Sequence, residues 1–181
     1  FSALVLAAVM VGIRELNHAF KRAGIVIPSY FLEVASIIVV VSAYFGNVSG
    51  LAVAAAFTIP NLFVFLLALA PAEFIKRISA AAMAIFYVPF LAGFIVLLAN
   101  DEHRVNRILT LVVLVACNDT FAYLSGVLFG KRPLAPHISP KKTWEGLIGA
   151  FVATTLISSL VFHFVVEKPW WLGLIFGILG V

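Results

Sequence analysis

Long uninterrupted apolar segments are the feature that most limits how this chain can fold. Of its 181 residues, 64% are hydrophobic and only 11% are charged, whereas a soluble domain carries about 25% charged residues. Several apolar runs reach the length of about 20 residues that a helix needs to cross a bilayer. These runs do not alternate apolar and polar residues as the strands of a membrane barrel would. The sequence therefore predicts an all-α fold, a polytopic bundle of transmembrane helices.

Glycine, proline and charged residues divide the apolar sequence into about five complete and two partial transmembrane helices. Because both termini fall inside apolar runs, we expect residues 1–181 to be a single membrane domain and a fragment of a longer chain. The predicted complete spans are residues 29–45, 51–70, 78–99, 108–129 and 144–166, and the partial spans are 1–13 and 170–181.

The basic residues are unevenly distributed among the connections between these spans. Nine of the 12 lysines and arginines fall in the first, third and fifth connections, and only Arg104, Arg107 and Lys168 fall in the others. Since Lys and Arg concentrate on the cytoplasmic side of a membrane, the connection at residues 130–143 is predicted to face the cytoplasm. The membrane is expected to be the cell (inner) membrane or the endoplasmic reticulum. The small net charge of +4 does not indicate nucleic-acid binding.

A carboxylate lies in the middle of the predicted span 108–129. Asp119 costs roughly 2.5–3.5 kcal/mol there on membrane-insertion scales. Ala122, Gly126 and Gly130 share its helix face, which predicts a stripe of small residues that lets another helix approach closely and turns the carboxylate toward protein. The sequence leaves two interpretations open: a functional site, or a buried polar contact that fixes helix packing.

A basic segment opens the next predicted helix. Ser139 is predicted to be its N-cap and Pro140 its first residue, because the missing N–H of proline costs nothing there. The free N–H groups and ammonium groups of Lys141 and Lys142, with the hydroxyl of Thr143, would then form an anion site suited to phosphate. The alternative is an ordinary basic flank of a membrane helix with a cap.

Three motifs within residues 117–149, the signature region, are similar to those of a known family. DTFAY at 119–123, GVLFGK at 126–131 and ISPKKTWEG at 138–146 closely resemble the phosphatidate cytidylyltransferase (CDP-diacylglycerol synthase) family. Outside this region the resemblance is limited to hydropathy and the order of the spans. It implies a nucleotidyltransferase of phospholipid biosynthesis, in which phosphatidate attacks the α-phosphorus of CTP to give CDP-diacylglycerol and pyrophosphate, with Mg²⁺ required.

The resemblance also implies roles for individual residues. Asp119 and Lys142 would be catalytic. Phosphate groups of CTP or phosphatidate would be held by Ser139, Lys141, Lys142 and Thr143. Asp119 would also support the metal, directly or through water, and Glu145 is a weaker metal candidate. Members of this family continue into a second, acidic signature, so the main metal aspartates are expected beyond Val181, and the truncated chain can be inactive on its own.

Other functions are compatible with parts of the pattern. A related enzyme could use CTP on an isoprenoid alcohol or an ether lipid. A transporter or ion-translocating protein could use Asp119 as its intramembrane site, although this leaves the segment at 139–143 unexplained. A purely structural subunit would tolerate Asp119→Asn. The expected partners are CTP, phosphatidate and bilayer lipid, with a homodimer as a compatible assembly and no nucleic acid.

Overall fold

The computed structural model describes residues 1–69, 71–136 and 139–181. They form two compact units, Phe1–Glu102 and His103–Val181, which we take in turn. Within the described residues, five helices are long and apolar enough to cross a membrane, which confirms the prediction of an all-α, multi-pass membrane protein. The single domain at 1–181 and the signature region at 117–149 stay predictions. Ala70, at the predicted end of one span, and Ile138, in the third motif, lie outside the described residues.

The first unit contains four α-helices within the described residues. A π-helical turn at Phe86–Phe90 contains Pro89, whose missing N–H is accommodated by the wider backbone turn. With this turn included, Phe74–Ala99 is one apolar segment of membrane-spanning length. The elements are α1 (Ser2–Arg22), α2 (Ser29–Leu69), a 3₁₀ turn (Pro71–Glu73), α3 (Phe74–Ile85), the π-helical turn (Phe86–Phe90) and α4 (Leu91–Ala99).

The first helix is longer than the predicted partial span at 1–13, because α1 continues to Arg22. The added turns include Arg14, whose guanidinium Nε donates a hydrogen bond of 3.0 Å to Oε1 of Glu33 in α2. This ion pair gives the charged side chain a partner within the helical pair. The chain leaves the helix at Gly24, which adopts a left-handed φ of 76°, the backbone conformation that commonly ends helices.

The long helix α2 is a hairpin of two arms rather than a straight rod. The rings of Phe31 and Phe65 stack with their centroids 4.6 Å apart, whereas a straight helix would separate these residues by about 50 Å. The reversal occurs at Asn47, the position inside α2 with non-helical backbone angles (φ 52°, ψ −146°). A side chain at Gly50 would overlap the carbonyl oxygen of Ser42, so glycine lets the two arms cross closely. The predicted division into two spans, 29–45 and 51–70, is thereby confirmed for the described residues, which in this helix end at Leu69.

The core of the first unit lies between the hairpin and its neighbouring helices. Leu32 and Leu62, from the two arms, are fully buried together with Ile13 from α1 and Val96 from α4. At Gly93 a side chain would meet Leu51 at 2.7 Å, so α4 also packs closely on the hairpin. The first unit therefore has its own apolar core.

The second unit consists of three α-helices and a two-stranded hairpin within the described residues. The strands pair antiparallel, with Pro133 opposite Thr143 and Ala135 opposite Ser139. Strand β2 runs directly into α6, so the hairpin is held against the helix start. The elements are α5 (Arg104–Phe129), β1 (Pro133–Ala135), β2 (Ser139–Thr143), α6 (Trp144–Phe164) and α7 (Trp170–Leu179).

The predicted helix start at Ser139 was wrong, because residues 139–143 form a β-strand and the helix begins at Trp144. The residue before a proline is driven out of the helical region, which favours an extended Ser139. Thr143 is the observed N-cap, and its Oγ1 accepts a hydrogen bond of 3.1 Å from the amide of Gly146. The anion site predicted from a helix N-terminus at Lys141 and Lys142 is therefore replaced by side chains carried on a strand.

The turn at Asn47 generates a stability prediction. Because a left-handed φ is costly for residues with a β-carbon, and most costly for β-branched ones, we expect Asn47→Val to destabilise the protein by about 1–3 kcal/mol. Asn47→Gly, the matched control, should be neutral or stabilising. Thermal unfolding in detergent measures both; equal melting temperatures for the two variants would contradict a strained turn at this position.

Candidate active-site cavity

Helices α5 and α6 approach each other closely along small residues. A β-carbon at Gly146 of α6 would lie 2.8 Å from the carbonyl oxygen of Ala122 in α5, and one at Gly126 would lie 3.2 Å from Oγ1 of Thr143. The first distance is too short for a β-carbon, and the second would require Thr143 to shift. The predicted stripe of Ala122, Gly126 and Gly130 therefore does receive another helix, as expected for small residues in membrane helices.

The connection between α5 and α6 is fixed by hydrogen bonds to the start of α6. One carboxylate oxygen of Glu145, Oε2, accepts from the backbone amides of Lys131 (3.1 Å) and Arg132 (3.2 Å). The amide of Trp144 donates to the carbonyl of Arg132 at 3.0 Å. With the Thr143 cap, these bonds set the orientation in which β2 presents its side chains.

A cavity of about 810 Å³ opens beside this junction. Helix α5 contributes Asn118, Asp119 and Tyr123 to its wall, and the apolar part of the wall includes Leu147 and Ala150 of α6. The β2 strand contributes all four residues for which phosphate binding was predicted: Ser139, Lys141, Lys142 and Thr143. The structure thus brings Asp119 and the basic segment to one cavity, while the chemical roles of these residues stay predictions.

The charged groups of the cavity wall are accessible. Asp119, Lys141 and Lys142 all have exposed side chains, so Asp119 is not the buried polar contact that the sequence left as one of two interpretations. Within the described ranges, neither lysine lies within salt-bridge distance of Asp119. Both signs of charge are therefore available to an incoming ligand.

Two wall residues add polar groups next to Asp119. Asn118 is half-buried, and its Oδ1 has no hydrogen-bond partner among the described protein atoms. Tyr123 was missed from the sequence, although its position one helical turn after Asp119 places it on the same face. Its exposed ring and hydroxyl border the cavity.

The two predicted metal candidates, Asp119 and Glu145, are not brought together in one site. Among the described residues, no group of three or more His, Cys, Asp or Glu side chains could hold a metal ion. Asp119 lines the cavity, whereas Glu145 is not among the described lining residues and uses its carboxylate on backbone amides. Mg²⁺ is commonly held by one or two carboxylates together with water and substrate phosphates, and Asp119 fits such a site. The described residues do not fit a site in which protein side chains alone hold the ion.

The close helix contact generates a second stability prediction. Gly146→Ala places a methyl group 2.8 Å from the Ala122 carbonyl oxygen, so we expect it to destabilise the α5–α6 pair by about 1–3 kcal/mol. Gly46→Ala is the matched control, because a β-carbon there meets nothing within 4 Å. Thermal unfolding in detergent should separate the two; a Gly146→Ala protein as stable as the control would contradict the close packing.

Comparison with known proteins points to one family. The model of the "Cytidylyltransferase family" matches residues 1–181. A "Phosphatidate cytidylyltransferase" of Mycobacterium tuberculosis (strain ATCC 25618 / H37Rv) is 33% identical over 111 residues, which is 61% of this chain and 34% of that protein. "Phosphatidate cytidylyltransferase 4, chloroplastic" of Arabidopsis thaliana is 30% identical over 195 residues, covering 87% of this chain and 49% of that protein. The chain thus spans about a third to a half of the length of these curated relatives.

Proposed function

Since this chain belongs to the cytidylyltransferase family, we propose that it is a CTP-dependent enzyme that converts phosphatidate to CDP-diacylglycerol and pyrophosphate. The observation that carries the proposal is the shared cavity of Asp119 and the strand Ser139–Thr143. The names of the mycobacterial and plant relatives support phosphatidate as the lipid substrate.

In the proposed reaction, a phosphate oxygen of phosphatidate attacks the α-phosphorus of CTP. The new P–O bond forms as the bond from the α-phosphorus to the bridging oxygen of the β-phosphate breaks, and pyrophosphate leaves with that electron pair. Because both reactants are anions, the site must offset their repulsion. Lys141 and Lys142 supply positive charge, and the hydroxyls of Ser139 and Thr143 supply hydrogen-bond donors, along one cavity wall. Fixed donors of this kind are worth most where charge develops in the transition state.

Lys142 and Asp119 would have the most direct roles. Lys142 would contact the phosphate oxygens that gain charge as the α–β bond breaks. Asp119 would hold Mg²⁺, directly or through water, and the ion would neutralise phosphate charge. Asn118, with its unpartnered Oδ1, would support the same position. Glu145 would act through the backbone of the connection rather than as a metal ligand.

The make-up of the cavity wall suits one soluble and one lipid substrate. Polar side chains come from strand β2 and from residues 118–123 of α5, and most of the apolar residues come from α5 and α6, both long enough to span a membrane. A phosphate at the bilayer surface and a nucleotide from the water could therefore meet there. We place this side in the cytoplasm on the distribution of Lys and Arg, in the cell (inner) membrane or the endoplasmic reticulum. A homodimer stays a prediction of the sequence.

The transport hypothesis is not favoured. It predicts ion flux through liposomes without release of pyrophosphate, and it gives no role to the strand that shares the cavity with Asp119. Family membership and the shared cavity both favour nucleotidyl transfer instead. Pyrophosphate release that depends on both CTP and phosphatidate discriminates the two.

Removal of one cavity cation should impair the reaction. We expect Lys142→Ala to lower turnover by about 100-fold or more, because it removes a fixed donor from the transferred group. The measurement is pyrophosphate release from CTP and phosphatidate, with CTP binding as a readout that does not need turnover. Lys21→Ala, which removes an exposed cation at the end of α1, is the control. Near-normal turnover of an inserted, folded Lys142→Ala protein would rule out the assigned role.

Removal of the cavity carboxylate should weaken metal binding. We expect Asp119→Asn to raise the metal concentration needed for half-saturation by about 10–100-fold, the usual effect of weakening a metal's oxygen shell. Binding of Mn²⁺ in the presence of CTP, followed by its electron paramagnetic resonance signal, measures this without turnover. Glu102→Gln, an exposed carboxylate outside the cavity lining, is the control. Unchanged metal affinity in Asp119→Asn would show that another group holds the ion.

A further inference from the structure

Two basic residues of the connection between α5 and α6 are not among the described residues that line the cavity. Lys131 and Arg132 follow the end of α5 directly, and both side chains are exposed. Neither is among the described residues that line the cavity, in contrast to Lys141 and Lys142. The two adjacent cations therefore form a separate basic pair.

The acidic residue nearest to this pair does not neutralise it through a side-chain ion pair. Glu145 accepts hydrogen bonds from the backbone amides of Lys131 and Arg132, and its carboxylate attracts the Arg132 guanidinium electrostatically without forming an ion pair. The Trp144 amide, bonded to the Arg132 carbonyl, adds a third link. Across residues 1–69, 71–136 and 139–181, no salt bridge involves either basic side chain. The result is a rigid main chain that carries two available cations.

The surroundings place the basic pair at the level of lipid head groups. It lies between the end of α5 and the start of α6, both long enough to span a membrane. Phe129 and Trp144, the helix-end residues on either side, are 65% and 50% exposed, as is typical of aromatic residues at a membrane interface. Arginine binds phosphate oxygens through two parallel donors, and lysine adds a mobile ammonium.

We propose that Lys131 and Arg132 form a binding site for the phosphate of an anionic lipid in the surrounding bilayer, separate from the cavity. An ordinary basic flank would attract anionic lipids only through its total charge, so any two cations on the connection would attract them equally. At a site built on a fixed main chain, lipid binding depends on which two cations are present. The inference does not rest on the proposed enzymatic function, because lipid binding needs neither CTP nor turnover.

The test uses Trp144 as a local probe. Trp170→Phe and Trp171→Phe together leave Trp144 as the only tryptophan of the chain. The protein is reconstituted in phosphatidylcholine vesicles that contain equal fractions of brominated phosphatidylglycerol or brominated phosphatidylcholine, and quenching of Trp144 is compared. We expect the anionic lipid to be enriched by about fivefold to 25-fold at Trp144, since each of the two basic residues near a membrane surface contributes up to about fivefold, equivalent to roughly 1 kcal/mol.

Matched variants separate this site from the cavity and from bulk charge. Lys131→Gln/Arg132→Gln should remove the excess quenching, whereas Lys21→Gln/Arg22→Gln, which removes the same charge at the end of α1, should retain it. Lys141→Gln/Lys142→Gln should also retain it. Loss of the excess in either of these last two variants, or its persistence in the first, would overturn the proposal.

A further arm distinguishes a lipid from a soluble anion. Inorganic phosphate at constant ionic strength should not displace the brominated phosphatidylglycerol; displacement would mean that the pair prefers a free anion and would overturn the assignment to lipid. If the Trp170→Phe/Trp171→Phe protein does not fold, the comparison is repeated on the protein with its natural tryptophans, with spin-labelled phosphatidylglycerol in place of the brominated lipid. Pyrophosphate release is assayed separately, so failure of the proposed enzymatic function would leave the lipid measurement intact.

Discussion

The second unit depends on the close approach of α5 and α6. Gly126 and Gly146 allow the two backbones to meet because neither carries a side chain, and Ala122 adds little more. In a membrane, packing of this kind replaces the hydrophobic effect as the source of helix association. The same contact sets the separation between the face that carries Asp119 and the strand that carries the lysines, so the geometry of the cavity follows from it.

Much of this arrangement is encoded in short-range patterns. The spans follow from apolar length. The break at 46–50 follows from Asn47, a residue type that tolerates a left-handed φ, and from Gly50, which lets the two arms pass closely. The convergence of Asp119 with the segment at 139–143 follows from the small-residue face of α5. These features depend on each residue's own neighbours in the sequence, which is why they can be predicted without coordinates.

Features that depend on pairing between distant residues were not predictable in the same way. The segment at 139–143 looks like a helix start when it is considered alone, but β1 offers it a hydrogen-bonding partner, and a cap at Thr143 competes successfully with one at Ser139. Glu145 was a weaker candidate for a metal ligand, and no local signal showed that its carboxylate would instead accept hydrogen bonds from two backbone amides. Tyr123 shows the opposite case, since helical periodicity alone could have placed it beside Asp119.

Thr143 contributes both to the fold and to the cavity. Its Oγ1 accepts from the Gly146 amide while the residue also lines the cavity, and a hydroxyl that accepts one bond still has a proton to donate. One residue therefore both caps a membrane-spanning helix and lines the cavity. A serine at this position would keep the hydroxyl that serves both purposes, whereas a valine would remove it. Loss of activity in a Thr143→Val protein would therefore have two causes, a weakened helix cap and an altered cavity wall.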